Sequence, residues 1–315
     1  MNLIRSIAAL AALLPSFLAL RAQETFIFTP QWTPQAQFAG FYVAQEKGFY
    51  QEEGVDVKIV HPSASRTAME RIRHDESQAT TLQLAQALEI IDSGIPLVNI
   101  LQTSMNNGLV IVSRRGMNPL EQRGARVGIW NAGFGQLAIC MDQIERLGYE
   151  WIRFVNNVNL FVSGAIDATL AMSYNEYYQL LQTGMNLSED NVYRFCDHGY
   201  NVQEDGVYVT LSTWKRHREE SERFARASRR GWEWAAEHPE ETLDIVMKYL
   251  GRDAVGTNRV LQKLMLDEVL RLQVDRDSQQ REFRLRPDMV ELASSLMLRC
   301  GMLKKDVSFE DLMPR

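Results

Sequence analysis

Apolar and polar positions change rhythm several times along this chain, and each change marks an element. Phe26 to Phe28 form a short apolar run that stops at Thr29-Pro30. Pro30 and Pro34 forbid a regular strand around Trp32, which places that indole on a stiff loop. From Gln35 the spacing turns helical, with Phe38, Tyr42, Gln45 and Phe49 on one stripe and Phe41, Ala44 and Gly48 beside it. Gly54 is the expected stop. Val55, Val57 and Ile59 then alternate with Asp56 and Lys58, a strand pattern, and strand, helix, strand at this spacing implies a right-handed parallel crossover. In open α/β sheets ligands gather at the carboxyl ends of strands, where Trp32 falls. Tyr42 is a second candidate for the cleft, although aromatics at helical spacing serve a core equally well.

Further on, Thr67 to Arg73 and Leu82 to Ile91 read as helices, and Ile95 to Thr103 and Leu109 to Ser113 as strands. The run Leu109-Val110-Ile111-Val112-Ser113 is continuously apolar and is expected to be the strand that leaves a first lobe. A second αβ series opens with Arg126 to Trp130 and continues through Asn131-Ala132-Gly133-Phe134-Gly135 into a helix carrying Leu137, Met141 and Ile144 on one face. Glycines between a strand and a helix let backbone approach a ligand, so Asn131, Gly133 and Phe134 are candidate contacts. The turn is not GxGxxG, and no acidic residue about 20 positions later completes a dinucleotide fingerprint, so no cofactor is expected.

Ser163 to Ala171 reads as a helix end, a turn and a buried strand, delivering the chain to Met172-Ser173-Tyr174-Asn175-Glu176-Tyr177-Tyr178. Such a cluster can stack on a planar ring while Asn175 and Glu176 exchange hydrogen bonds with ring nitrogens and an exocyclic amine. The same residues also suit the solvated first turn of a helix. Val207 to Leu211 reads as a strand returning to the first lobe. Crossings near Ser113 and near Val207 would form a two-stranded hinge, about which lobes close on a ligand. From Thr213 the chain is mostly helical, and the Arg and Glu run from Lys215 to Arg230 is a solvated helix face.

Composition narrows the function classes. Met1 to about Ala22 has Arg5 near its start and an apolar stretch from Ile7 to Leu20, which reads as a secretory leader and predicts a periplasmic or otherwise secreted protein. The formal net charge is −6, and no basic block offers a nucleic-acid surface. Cys140, Cys196 and Cys300 are widely spaced without a CxxC, and the five histidines lack ligand spacing, so no metal site is expected. One disulfide is compatible with an oxidising compartment, its pairing left open.

The run from Trp32 through Ala39-Gly40-Phe41-Tyr42-Val43-Ala44 and Glu46-Lys47-Gly48-Phe49-Tyr50 to Glu53-Gly54-Val55-Asp56-Val57 resembles the first motif of periplasmic proteins that bind pyrimidine precursors of thiamine. The wider group includes sulfonate and nitrate binding proteins and the eukaryotic pyrimidine synthase. Arg123 to Gly128, Gly133 to Gly135, Gly164 to Ala168, Asp197 to Gly199, and Gly231 to Ala235 before His238-Pro239-Glu240-Glu241 follow in matching order. The resemblance implies an α/β, two-lobe type II periplasmic binding protein, each lobe a mostly parallel sheet flanked by helices. Residues 1–22 would be the leader, 23–113 and 207–315 the first lobe, and 114–206 the second.

It also implies a monomeric, non-enzymatic binder of a small molecule, a hydroxymethylpyrimidine or formylaminopyrimidine, working with an ABC transporter permease. A sensor module reporting to a membrane kinase is the alternative. Trp32 and Tyr42 would face Tyr174, Asn175 and Glu176 across the ring. Glu204 and Asp205 both stand near the position of a carboxylate that relatives carry in the returning segment. An acidic residue in the cleft opposes a sulfonate or nitrate by like charge and favours a neutral or cationic heteroaromatic.

Overall fold

The computed structural model describes residues 24–63, 65–114, 116–130, 135–154, 158–251 and 256–314. The candidate contacts Asn131, Gly133 and Phe134, and the leader, lie outside them. Among the described residues ten strands form two five-stranded sheets. The first contains β1 (Phe26–Thr29), β2 (Val57–Ile59), β3 (Ala79–Gln83), β4 (Leu97–Gln102) and β10 (Asp205–Thr210) in the order β2-β1-β3-β10-β4. The second contains β5 (Leu109–Ser113), β6 (Arg126–Trp130), β7 (Glu150–Phe154), β8 (Ala168–Met172) and β9 (Val192–Arg194) in the order β7-β6-β8-β5-β9.

Each sheet is parallel except for one strand, and the exceptions share a cause. β10 runs antiparallel to β3 and β4, and β5 runs antiparallel to β8 and β9. Both are the first strands met after the chain crosses from the other sheet. A chain entering across the hinge arrives from the end opposite to that of a local helical crossover, so it must run against its neighbours. The apolar run Leu109–Ser113 therefore belongs to the second lobe. This corrects the expected boundary after Ser113: the outgoing crossing is residues 103–108.

The first helix is also shorter than its stripe suggests. Gly48 adopts φ 76, which breaks it into Ala39–Glu46 and Phe49–Glu52. Helix Ala39–Glu46 packs against the long helix Arg218–Glu237. Small residues allow an unusually close crossing, since a Cβ on Gly231 would lie 2.1 Å from the Gly40 carbonyl oxygen. Below that crossing Phe224 stacks on Tyr50 and Phe26 with ring centroids 5.2 and 5.0 Å apart. The expected charged face of the long helix is exposed, and it is laced by ion pairs such as Arg226 to Glu53 at 2.8 Å.

Cys140 and Cys300 form a disulfide with Cα atoms 5.3 Å apart. It ties the 3-10 helix Gln136–Cys140, just after β6, to the end of helix Pro287–Arg299. That helix also packs on Leu84–Asp92, which follows β3. The bond thus links the second lobe to a helix seated on the first. Among the described residues no helix is long and apolar enough to cross a membrane.

Two outcomes follow from this packing. Gly231→Ala should force the two helices apart and cost about 1 to 3 kcal/mol, measured by urea unfolding. The disulfide closes a loop spanning 160 residues, so its reduction should lower stability by about 2 to 5 kcal/mol under the same assay, because the unfolded chain regains loop entropy.

Candidate functional site

A pocket lies where the carboxyl ends of the strands from both sheets meet, lined by Gln31, Trp32, Gln35, Gln37, Gln83, Trp130, Met172, Tyr174, Asn175 and Glu176. The first five come from the loop after β1 and the end of β3, and the others from the ends of β6 and β8. Trp32 is half-buried, and Trp130 and Tyr174 are buried. An outer, wider cavity shares Trp32, Gln35 and Asn175 with the pocket and continues past Thr33, Gln179 and Gln262.

The prolines and a set of tertiary hydrogen bonds fix the Trp32 loop. Gln262, from helix Arg259–Leu272, accepts the Ala36 backbone N–H at 2.6 Å. His61 Nδ1 lies 2.7 Å from the Trp32 carbonyl oxygen, and its Nε2 lies 2.8 Å from the Tyr42 hydroxyl. Burial lowers the His61 pKa, against the pull of the Trp32 carbonyl, so the ring is neutral. A carbonyl only accepts, so Nδ1 carries the proton and Nε2 accepts from Tyr42. Tyr42 does not line the pocket. It is fully buried and stacks on Tyr249 with centroids 4.1 Å apart, so it supports the loop from behind.

From the second lobe, Glu176 opens helix Glu176–Gln182 with its carboxyl folded back onto the backbone. It accepts from the Met172 backbone N–H at 2.9 Å, the Asn175 amide at 3.1 Å and the indole N–H of Trp130. Burial raises its pKa, and these donors oppose the rise. The Tyr174 hydroxyl is held well above its usual range by burial and by the nearby Asp205, Glu204 and Glu176. It therefore stays protonated.

The two acidic candidates, Glu204 just before the returning strand and Asp205 at its start, have different partners. Glu204 is buried in the hinge, where its Oε2 accepts the Gly108 N–H at 3.0 Å. Burial and the adjacent Asp205 push its carboxyl well above the usual range. Asp205 instead reaches the pocket wall: its Oδ1 takes the Gln31 Nε2 at 2.6 Å and its Oδ2 the Gln37 Nε2 at 2.6 Å. Burial raises its pKa to about 6, the two amides holding it down from a still higher value. Among the described residues lining the pocket none is Lys, Arg or His. The wall is thus aromatic surface with carboxyl and amide groups, a surface suited to a flat ring that donates hydrogen bonds.

The model of the NMT1/THI5 like family matches residues 35–242. The chain belongs to that family. It is 27% identical over 243 residues to the formylaminopyrimidine-binding protein of Halalkalibacterium halodurans, covering 72% of this chain and 71% of that relative. Among solved structures, the periplasmic aliphatic sulphonate binding protein of Escherichia coli superposes with a TM-score of 0.66 at 10% identity, over 93% of this chain and 92% of that one. The ligand binding component of an ABC-type import system from Staphylococcus aureus gives a TM-score of 0.67 at 8% identity, over 93% and 97%. At such identities the likeness is one of fold, the two-lobe type II periplasmic binding protein.

In this NMT1/THI5-like chain the pocket gathers four of the residues singled out from sequence, Trp32, Tyr174, Asn175 and Glu176, with Asp205 directly behind its wall. Gln31, Gln35, Gln37, Gln83, Trp130 and Met172 were not anticipated. A signal for three of them exists in the run Gln31-Trp32-Thr33-Pro34-Gln35-Ala36-Gln37, where closely spaced amides flank the tryptophan.

Asp205 should leave a mark on the pH dependence of stability. Its folded pKa of about 6 lies above the ordinary 3.8, so its contribution is most favourable below about pH 4 and is lost as pH rises through 6. Relative to Asp205→Asn, the wild-type protein should lose stability on the order of 3 kcal/mol between pH 4 and 7. Urea unfolding across that range measures the difference, and a constant difference would contradict the assignment.

Proposed function

We propose that this protein is an extracytoplasmic solute-binding protein that captures a thiamine-related pyrimidine precursor, of the hydroxymethylpyrimidine or formylaminopyrimidine type, and presents it to the permease of an ABC importer. The observation that carries the reading is the buried Glu176 carboxyl in a pocket walled by Trp32, Trp130 and Tyr174, with no cationic side chain among the described lining residues. An aminopyrimidine offers flat faces for the aromatic side chains and N–H groups for the carboxyl, and charge-assisted bonds of this kind are short and strong. A sulfonate or nitrate would meet acidic groups there and would lack a cation to pair with.

The NMT1/THI5-like family and the formylaminopyrimidine-binding relative support the same ligand class. The leader expected at residues 1–22 and the Cys140–Cys300 disulfide support an oxidising compartment outside the cytoplasm. The protein's work in this reading is capture and release, with the two lobes closing about the crossings at 103–108 and 201–204.

Calorimetric titration of the mature protein against hydroxymethylpyrimidine, formylaminopyrimidine, thiamine, taurine and nitrate tests the proposal. Micromolar or tighter binding of a pyrimidine is expected, and tight binding of an anion with no pyrimidine binding would sink it. Trp32→Ala should weaken pyrimidine binding by about 1 to 3 kcal/mol, the usual worth of one stacked base, with little change in the melting temperature.

A further inference from the structure

We infer that Asp205 is a positioning residue that sets ligand specificity: it holds Gln31 with the amide oxygen as the end left to accept, so that the pocket selects a ring carrying an amino group over the same ring carrying an oxo group. The inference deepens the pyrimidine reading and rests on it.

A glutamine amide has a donating and an accepting end, and which end faces a ligand depends on what holds the other. An ionised carboxylate can only accept. Asp205 uses one oxygen for each of two amides, Gln31 Nε2 and Gln37 Nε2, both at 2.6 Å. Both amides must therefore turn their nitrogens toward it. Gln37 then has its oxygen free for the Gln35 Nε2, which donates to it at 2.5 Å. The orientation set at Asp205 passes along the chain of amides, and each handoff leaves an oxygen at the far end.

Gln31 shows the result most clearly. The residue lines the pocket and is 5% exposed, its backbone N–H is fixed on Thr81 Oγ1 at 2.8 Å, and its Oε1 is buried without a hydrogen-bond partner among the described residues. Amide geometry puts that oxygen on the side away from Asp205. Across the same pocket stands the Glu176 carboxyl. Two acceptors from opposite lobes fit a ring that presents N–H groups to both, whereas an oxo group would set acceptor against acceptor. A site built on such bonds rejects the mismatched analogue far more strongly than a hydrophobic pocket rejects a methylene. Asp205 titrates near 6, so the arrangement holds at neutral pH.

The test is a pair of calorimetric titrations at pH 7.5, with 4-amino-5-hydroxymethyl-2-methylpyrimidine and with its 4-oxo analogue. Wild-type protein should prefer the amino compound by roughly tenfold or more. Asp205→Asn can offer an N–H to Gln31 and let its amide turn over, so the preference should fall to about threefold or less. Gln31→Met removes the acceptor at similar length and should do the same, and it decides the matter if a melting curve shows Asp205→Asn unfolded. A ratio unchanged in the folded variants would overturn the inference, as would a wild-type protein that binds both compounds equally, and either result leaves the pyrimidine reading standing. Failure of the wild-type protein to bind either compound would overturn the inference, and failure to bind formylaminopyrimidine as well would remove the pyrimidine reading.

Discussion

The structure turns on the hydrogen bonds that converge on Asp205. Its backbone oxygen accepts from the Thr103 and Ser104 N–H groups at 2.9 and 3.0 Å, and from the Gln102 Nε2 at 3.0 Å, which binds the outgoing crossing to the start of the returning strand. Its side chain meanwhile holds the two glutamines of the pocket wall. One residue therefore anchors the hinge through its main chain and orients the site through its carboxyl. Glu204 adds a second tie by bonding Gly108 at the far end of the same crossing. The junction between the lobes is therefore also part of the pocket wall.

The cost of this arrangement is electrostatic. Glu176, Glu204 and Asp205 are all buried around Tyr174, and burial raises the pKa of each. Carboxyls in such surroundings persist because each accepts bonds from fixed donors, mostly backbone N–H groups and side-chain amides, rather than from a cation. Among the described lining residues no cationic side chain balances these carboxyls. Under the proposed function, a ligand that donates hydrogen bonds meets acceptors already held in place.

The scaffold that allows this is stiff where it borders the site. The Gly40 and Gly231 crossing locks the first helix against the long one. Tyr42, buried beneath it, then holds His61 against the carbonyl of Trp32. The aromatic wall is thus supported by a buried relay and not by its own loop alone. The disulfide between Cys140 and Cys300 gives the two lobes a second connection besides the crossings.

Strands with an apolar signature were legible from local pattern: Leu109–Ser113 and Arg126–Trp130 appear with the bounds their residues suggest. β3, with Thr80, Thr81 and Gln83 buried, has no such signature. It is polar inside, held by bonds such as Thr80 Oγ1 to the Thr29 oxygen, and the edge strands β7 and β9 are too exposed or too short to announce themselves. Trp32 and the Tyr174 to Glu176 cluster could be placed because the carboxyl end of a strand is a position the local order of elements reveals. Helical spacing could not say whether Tyr42 faces ligand or core, since that depends on Tyr249 packing over it from 207 positions away. Nor could it show that glutamines resembling solvated residues form a wall. Periodicity records which side of an element a residue occupies, but the polarity of an amide is set by its partner, and for Gln31 that partner lies 174 residues along the chain.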